Sequence, residues 1–189
     1  MKIVFALVFS IAVCGPTQAA ERIARPSVPS KIEVDPGFEP FLVGHAIGTQ
    51  NYICVATAGG GIDWLPIGPQ ATVFDAAFNQ VMTHFQSKNP LQDDAIQATW
   101  MSKDTSAAWA VRLRGSTDAA YVAPDAIEWL LLQVTGTQVG PTGGNKLSPA
   151  VFIQRVNTVG GLKPSAADCT IVNMTRKLVS YEADYYFYR

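Results

Sequence analysis

A chain of 189 residues that is 48% hydrophobic and only 15% charged has enough apolar material for one core and too little polarity for long disorder. Its formal net charge is −1 and its 14 basic residues are scattered, so no basic face offers itself to phosphate backbones and nucleic acid is not an expected partner.

The chain opens with Lys2, an apolar run over Ile3–Val13 and the small-residue segment Thr17-Gln18-Ala19. This is the layout of a secretory signal peptide over residues 1–19, with cleavage expected after Ala19 and delivery to the periplasm or the extracellular space. The run is short of the roughly 20 apolar residues a spanning helix needs, and no later stretch is long enough, so membrane insertion is not expected. Lipid anchoring at Cys14 is the competing reading, but Val13 stands where a small residue is required. Export leaves two cysteines, Cys54 and Cys169. An oxidising compartment favours a disulfide between them; two separate buried thiols are the other possibility.

Residues 20–40 hold Pro26, Pro29, Pro36 and Pro40 among charges and read as an extended lead-in. Residues 41–189 read as a single β domain. The alternation from Phe41 to Val55 predicts a strand, and Ala58-Gly59-Gly60-Gly61 a turn. Ile62–Ile67 predicts a second strand that Gly68-Pro69 interrupts, with Ala71–Asp75 a separate one. Gln80–Phe85, Ile96–Met101 and Ala107–Arg114 follow, and in the last of these Trp109, Val111 and Leu113 are expected to be buried while Arg112 and Arg114 face water. Pro124–Glu128 suits one helical turn, Trp129–Gln138 a strongly apolar strand, Val151–Gly161 a strand stopped by Gly160-Gly161, and Tyr181–Tyr188 a closing strand. Together they predict an all-β, antiparallel sandwich or barrel of roughly eight to ten short strands with at most one or two short helical turns.

Chemical motifs are few. There is no G-x-S-x-G elbow and no H-E-x-x-H, and two histidines, His45 and His84, cannot build a three-histidine metal site. The loop Gly140–Lys146 lacks phosphate-loop spacing, and Gly59–Gly61 lacks the dinucleotide pattern, so both read as turns and no cofactor or metal is expected. His84 precedes a loop bearing Asp93 and Asp94 and is a weak catalytic candidate, a base with an acidic partner; a hydrogen-bonded structural histidine is the plainer alternative. The tryptophans Trp64, Trp100, Trp109 and Trp129 read first as ordinary sheet core; Trp64 and Trp100, beside loops, are the two placed to stack on a sugar or other planar ligand if any do. The strand around residue 155 carries Gln154, Arg155 and Asn157 among apolar neighbours, and these three are the candidate ligand-binding polar groups. A protein carboxylate, Asp184 or Glu182, is the first expected partner for Arg155, an anionic ligand the second.

Gly48-Thr49-Gln50-Asn51-Tyr52-Ile53-Cys54, Ala71-Thr72-Val73-Phe74-Asp75, Thr83-His84-Phe85, Trp129-Leu130-Leu131, Ile153-Gln154-Arg155-Val156-Asn157-Thr158 and Tyr185-Tyr186-Phe187-Tyr188-Arg189 occur in this order. The series resembles a family of secreted bacterial and fungal proteins classed as a domain of unknown function, some fungal members of which carry a malate-dehydrogenase-like label. The resemblance implies one domain from about residue 40 onward and an exported setting, and it supplies no catalytic residue. The missing dinucleotide fingerprint gives the dehydrogenase label no support. The leading expectation is a binding module for a small molecule, a carbohydrate or an extracellular surface component. A secreted hydrolase using His84 and a purely structural envelope protein are the alternatives.

Overall fold

A computed structural model describes residues 22–170 and 175–189. The expected leader, including Cys14 and Ala19, lies outside the described residues. Eight strands run β1 (Pro40–Ala56), β2 (Ile62–Phe74), β3 (Gln80–Asn89), β4 (Ala95–Ser102), β5 (Ala107–Ser116), β6 (Trp129–Gln138), β7 (Phe152–Gly160) and β8 (Arg176–Tyr188). Each pairs antiparallel with the next, and β8 returns to β1, giving a closed barrel. Closure removes both sheet edges, which an open meander of this apolar content would leave free to pair with other chains.

The barrel is solid at one end. Val73, Met82, Ile153 and Phe187 fill it from four strands, and Leu147 and Ala150 enter from the β6–β7 connection. That connection is clamped to the β4–β5 turn, where the Asp104 carboxylate accepts from Lys146 N–H at 2.9 Å and from the Ser106 hydroxyl at 2.6 Å. Ser106 Oγ in turn accepts from Leu147 N–H at 3.1 Å. A Cβ on Gly144 would stand 1.9 Å from the Asp104 carbonyl oxygen, so this contact requires glycine. Toward the other end the inward positions are small, with Ala71, Ala98 and Ala110 packed around the core, and the lumen is left partly hollow.

The lead-in forms a second core on the outside. Ile32 and Val34 pack with Trp129, Leu131, Val156 and Tyr188, which is why Trp129-Leu130-Leu131-Leu132 is apolar on both faces. The segment is not wholly extended, because Ser30–Ile32 turns as a 3-10 helix. A second such turn lies at Ala166–Asp168. A third cluster gathers Tyr52, Trp64 and the Cys54–Cys169 disulfide.

Several local expectations are corrected. Residues 62–67 and 71–75 do not form two strands: Gly68, at φ +96°, absorbs a register shift opposite Asn51 and Tyr52, and β2 runs through it. Pro66 and Pro69 are tolerated because β2 pairs with β3 only over Ala71–Phe74, so no ladder on that side needs their N–H groups. Val111 and Leu113 are exposed, at 38% and 48%, and Arg112 stands at the mouth of the lumen with its side chain 55% exposed, facing water as expected. Alternation holds from Ala108 through Ala110 to Arg112, but these residues take the lumenal side; Trp109 is buried on the outer face as expected, its Nε1 donating to Ser87 Oγ, and only Val111 and Leu113 are left to solvent. Residues 124–128 make a turn and an isolated bridge from Ala126 to Gly161 instead of a helical turn. Trp64 and Trp100 are buried, at 3% and 0% exposure, as the core reading expects, and the stacking alternative is the one set aside.

Candidate functional site

The hollow part of the lumen is a cavity of about 420 Å³ to which every strand contributes. Gln50 comes from β1, Pro66, Gly68 and Pro69 from β2, Gln86 from β3 and Ala98 from β4. Arg112, Leu130, Leu132 and Arg155 complete the wall from β5, β6 and β7, and His84, Trp100 and Tyr185 close it beneath. Register explains the grouping: Leu130 faces Arg155, Arg155 faces Tyr185, and His84 faces Trp100 as direct cross-strand partners, so each pair shares one side of the sheet.

Arg155 is the charged centre of this cup. Its guanidinium Nη2 donates to the Glu128 carbonyl oxygen at 2.9 Å, and its Nε is buried with no hydrogen-bond partner. Among the described residues it makes no ion pair. The expected partner Asp184 is engaged elsewhere, accepting from His45 Nδ1–H at 2.6 Å and from Asn157 Nδ2 at 2.8 Å, and Glu182 with Asp184 lines a groove on the outer wall. The reason is the strand period: Arg155 and the outward pair Gln154 and Val156 lie on opposite faces of β7, and Asp184 pairs with Val156. The Glu128 side chain is taken by Arg112, which donates from Nε at 3.1 Å and from Nη2 at 2.9 Å. Among the described residues no Asp or Glu lines the cavity.

Nor can another lumenal side chain supply a negative charge at neutral pH. Burial raises the Tyr185 and Tyr181 hydroxyls well above the ordinary tyrosine value, even though the Arg155 charge pulls both the other way. The two hydroxyls lie 3.4 Å apart. His84 is also held neutral: it is lowered to about 3, chiefly by burial and in lesser part by the Arg155 charge, against an upward push from its bond to the Thr99 carbonyl. A carbonyl only accepts, so His84 Nδ1 carries the proton in the 2.9 Å bond to Thr99 O, and Nε2 keeps its lone pair. Among the described residues His84 has no carboxylate partner, which the hydrolase reading needed; its ring stacks on Trp100 at 4.0 Å and meets Tyr185 edge-on at 4.9 Å.

The structure thus brings together Arg155, His84 and Trp100 of the residues singled out in the sequence, and separates the others. Gln154 points outward, donating to the Ile32 carbonyl at 2.7 Å and accepting from the Tyr188 hydroxyl. Asn157 lies exposed in a β7 bulge at φ +51°. Trp64 donates from Nε1 to the Ser165 carbonyl at 3.0 Å beside the disulfide. Gln50, Gln86, Arg112 and Tyr185 are not among the sequence candidates for ligand contact; the alternation of β1 signals Gln50 and the aromatic run of β8 signals Tyr185, while nothing in the sequence signals Gln86 or Arg112 as lining the cavity. Among the described residues no group of three or more His, Cys, Asp or Glu could hold a metal ion, and no helix is long and apolar enough to cross a membrane.

In comparison with known proteins, residues 36–189 match a family described as a protein of unknown function, DUF3455. No curated protein and no solved structure matches.

Proposed function

The chain belongs to the DUF3455 family, and from its lumen we propose that it is an exported binding module that takes a small molecule into the open half of the barrel. The observation that carries this reading is Arg155, a guanidinium with no carboxylate partner among the described residues, set in a cavity of about 420 Å³. Eight-stranded barrels have an interior just wide enough to be filled by side chains or to hold one small ligand, and the small residues on β4 and β5 favour the second outcome. The buried disulfide is compatible with an extracellular setting.

A thermal-shift screen over sugars, lipids and organic acids tests the proposal. A ligand at a hundredfold excess over its Kd should stabilise the protein by about 3 kcal/mol. The shift should vanish in Ala98→Trp, which fills the cup. Unchanged melting across the whole screen, or an equal shift in Ala98→Trp, defeats it.

A further inference from the structure

We infer that the ligand of this cavity is a small organic monoanion, a carboxylate with a short apolar or flat body, its acid group on Arg155; this rests on the lumenal binding reading above. Charge balance is the first reason. The groups around the cup are Arg112 and Arg155 against the single carboxylate of Glu128, and Arg112 already holds that carboxylate with two hydrogen bonds. One positive charge is left uncompensated in a partly desolvated space, and one negative charge satisfies it.

Geometry is the second reason. Arg155 spends one Nη2 hydrogen on the Glu128 carbonyl and is held within reach of Tyr185, so the guanidinium is fixed before any ligand arrives. A planar fork held in place matches a carboxylate. The walls beside it are Leu130, Leu132, Ala98, Pro66 and Pro69, which suit a hydrocarbon or ring and would strip water from a second charge at a cost nothing there offsets. The amides of Gln50 and Gln86 can serve a further polar substituent. A neutral sugar would leave Arg155 unpaired, and a cation would meet it directly.

Calorimetric titration of the intact protein with benzoate, benzamide and benzylamine at one ionic strength decides the matter. These probes share a ring and differ in charge. Benzoate is expected to bind at least tenfold tighter than benzamide, and benzylamine not measurably. In Arg155→Met, which keeps an apolar stem, benzoate should fall to within about twofold of benzamide. Comparable binding of benzoate and benzamide, preference for benzylamine, or a benzoate advantage that survives Arg155→Met overturns the monoanion assignment, and so does a lack of binding by all three. The wild-type ratio stands alone if Arg155→Met does not fold. Failure of the parent reading is distinct: it is shown by a probe that binds Ala98→Trp as well as the native protein, whatever its charge.

Discussion

His84 and Trp100 are direct cross-strand partners whose rings lie stacked, 4.0 Å between centroids and 10° between planes, at the base of the lumenal cup. Tyr185 and Phe187 meet Trp100 edge-on, so the indole is the joint between the hollow and the filled halves of the barrel. Trp100→Ala should lower unfolding free energy by about 3–5 kcal/mol in denaturant titration. A loss under about 1 kcal/mol would show that the two halves do not share this joint.

The neutral His84 predicts an acid limb to the stability curve. Its folded value of about 3 lies below its ordinary 6.5, so unfolded chains take up a proton between those limits that the folded protein refuses. The contribution is fully present above pH 6.5 and is lost as pH falls toward 3, by at most about 1.4 kcal/mol per unit. His84→Gln, compared with the native protein from pH 7 to 4, should show a shallower slope. Equal slopes would mean the ring is protonated in the folded state, and nitrogen NMR at pH 5 would show it directly.

Cys54 and Cys169, both buried, close a loop of 115 positions. On the chain-entropy model the link contributes about 4–5 kcal/mol by restricting the unfolded chain. The double substitution Cys54→Ser with Cys169→Ser should therefore shift the denaturant midpoint down markedly. An unchanged midpoint would place the stabilisation elsewhere.

The clamp under the barrel makes a paired prediction. Gly144→Ala drives a Cβ into the Asp104 carbonyl, whereas Gly59→Ala meets nothing within 4 Å. The first should cost about 1–3 kcal/mol and the second stay within about 0.5 kcal/mol of the native protein. Partial burial pushes the Asp104 carboxyl upward, but hydrogen bonds from the Ser106 hydroxyl, Lys146 N–H and Ser106 N–H hold it below its ordinary value. The clamp's stability is therefore present above that ordinary value and is lost as pH falls below it.

Gln154 separates scaffold from site. Its side chain ties the lead-in to the outer wall at Ile32 and Tyr188. Gln154→Ala should destabilise by about 1–3 kcal/mol, since a buried carbonyl and hydroxyl lose their partner, and leave benzoate affinity unchanged. A change in affinity with stability intact would move Gln154 into the site.

The all-β class, the chain's family and the pairing of two cysteines were legible in the residues, because alternation, motif order and cysteine number are local or countable properties. Arg155 was also legible as an oddity, a charge among apolar strand neighbours. Its surroundings were not. Gln154 and Arg155 look alike along the chain, yet one serves the outer core and the other the lumen, because successive side chains take opposite faces and the lead-in buries the outer one. Bulges at Gly68, at Arg112/Arg114 and at Asn157 shift that parity where no pattern announces it. Only closure of β8 onto β1 brings residues from all eight strands around one space, and only the register decides that Arg155 shares it with His84 and Trp100 while Asp184 stays outside.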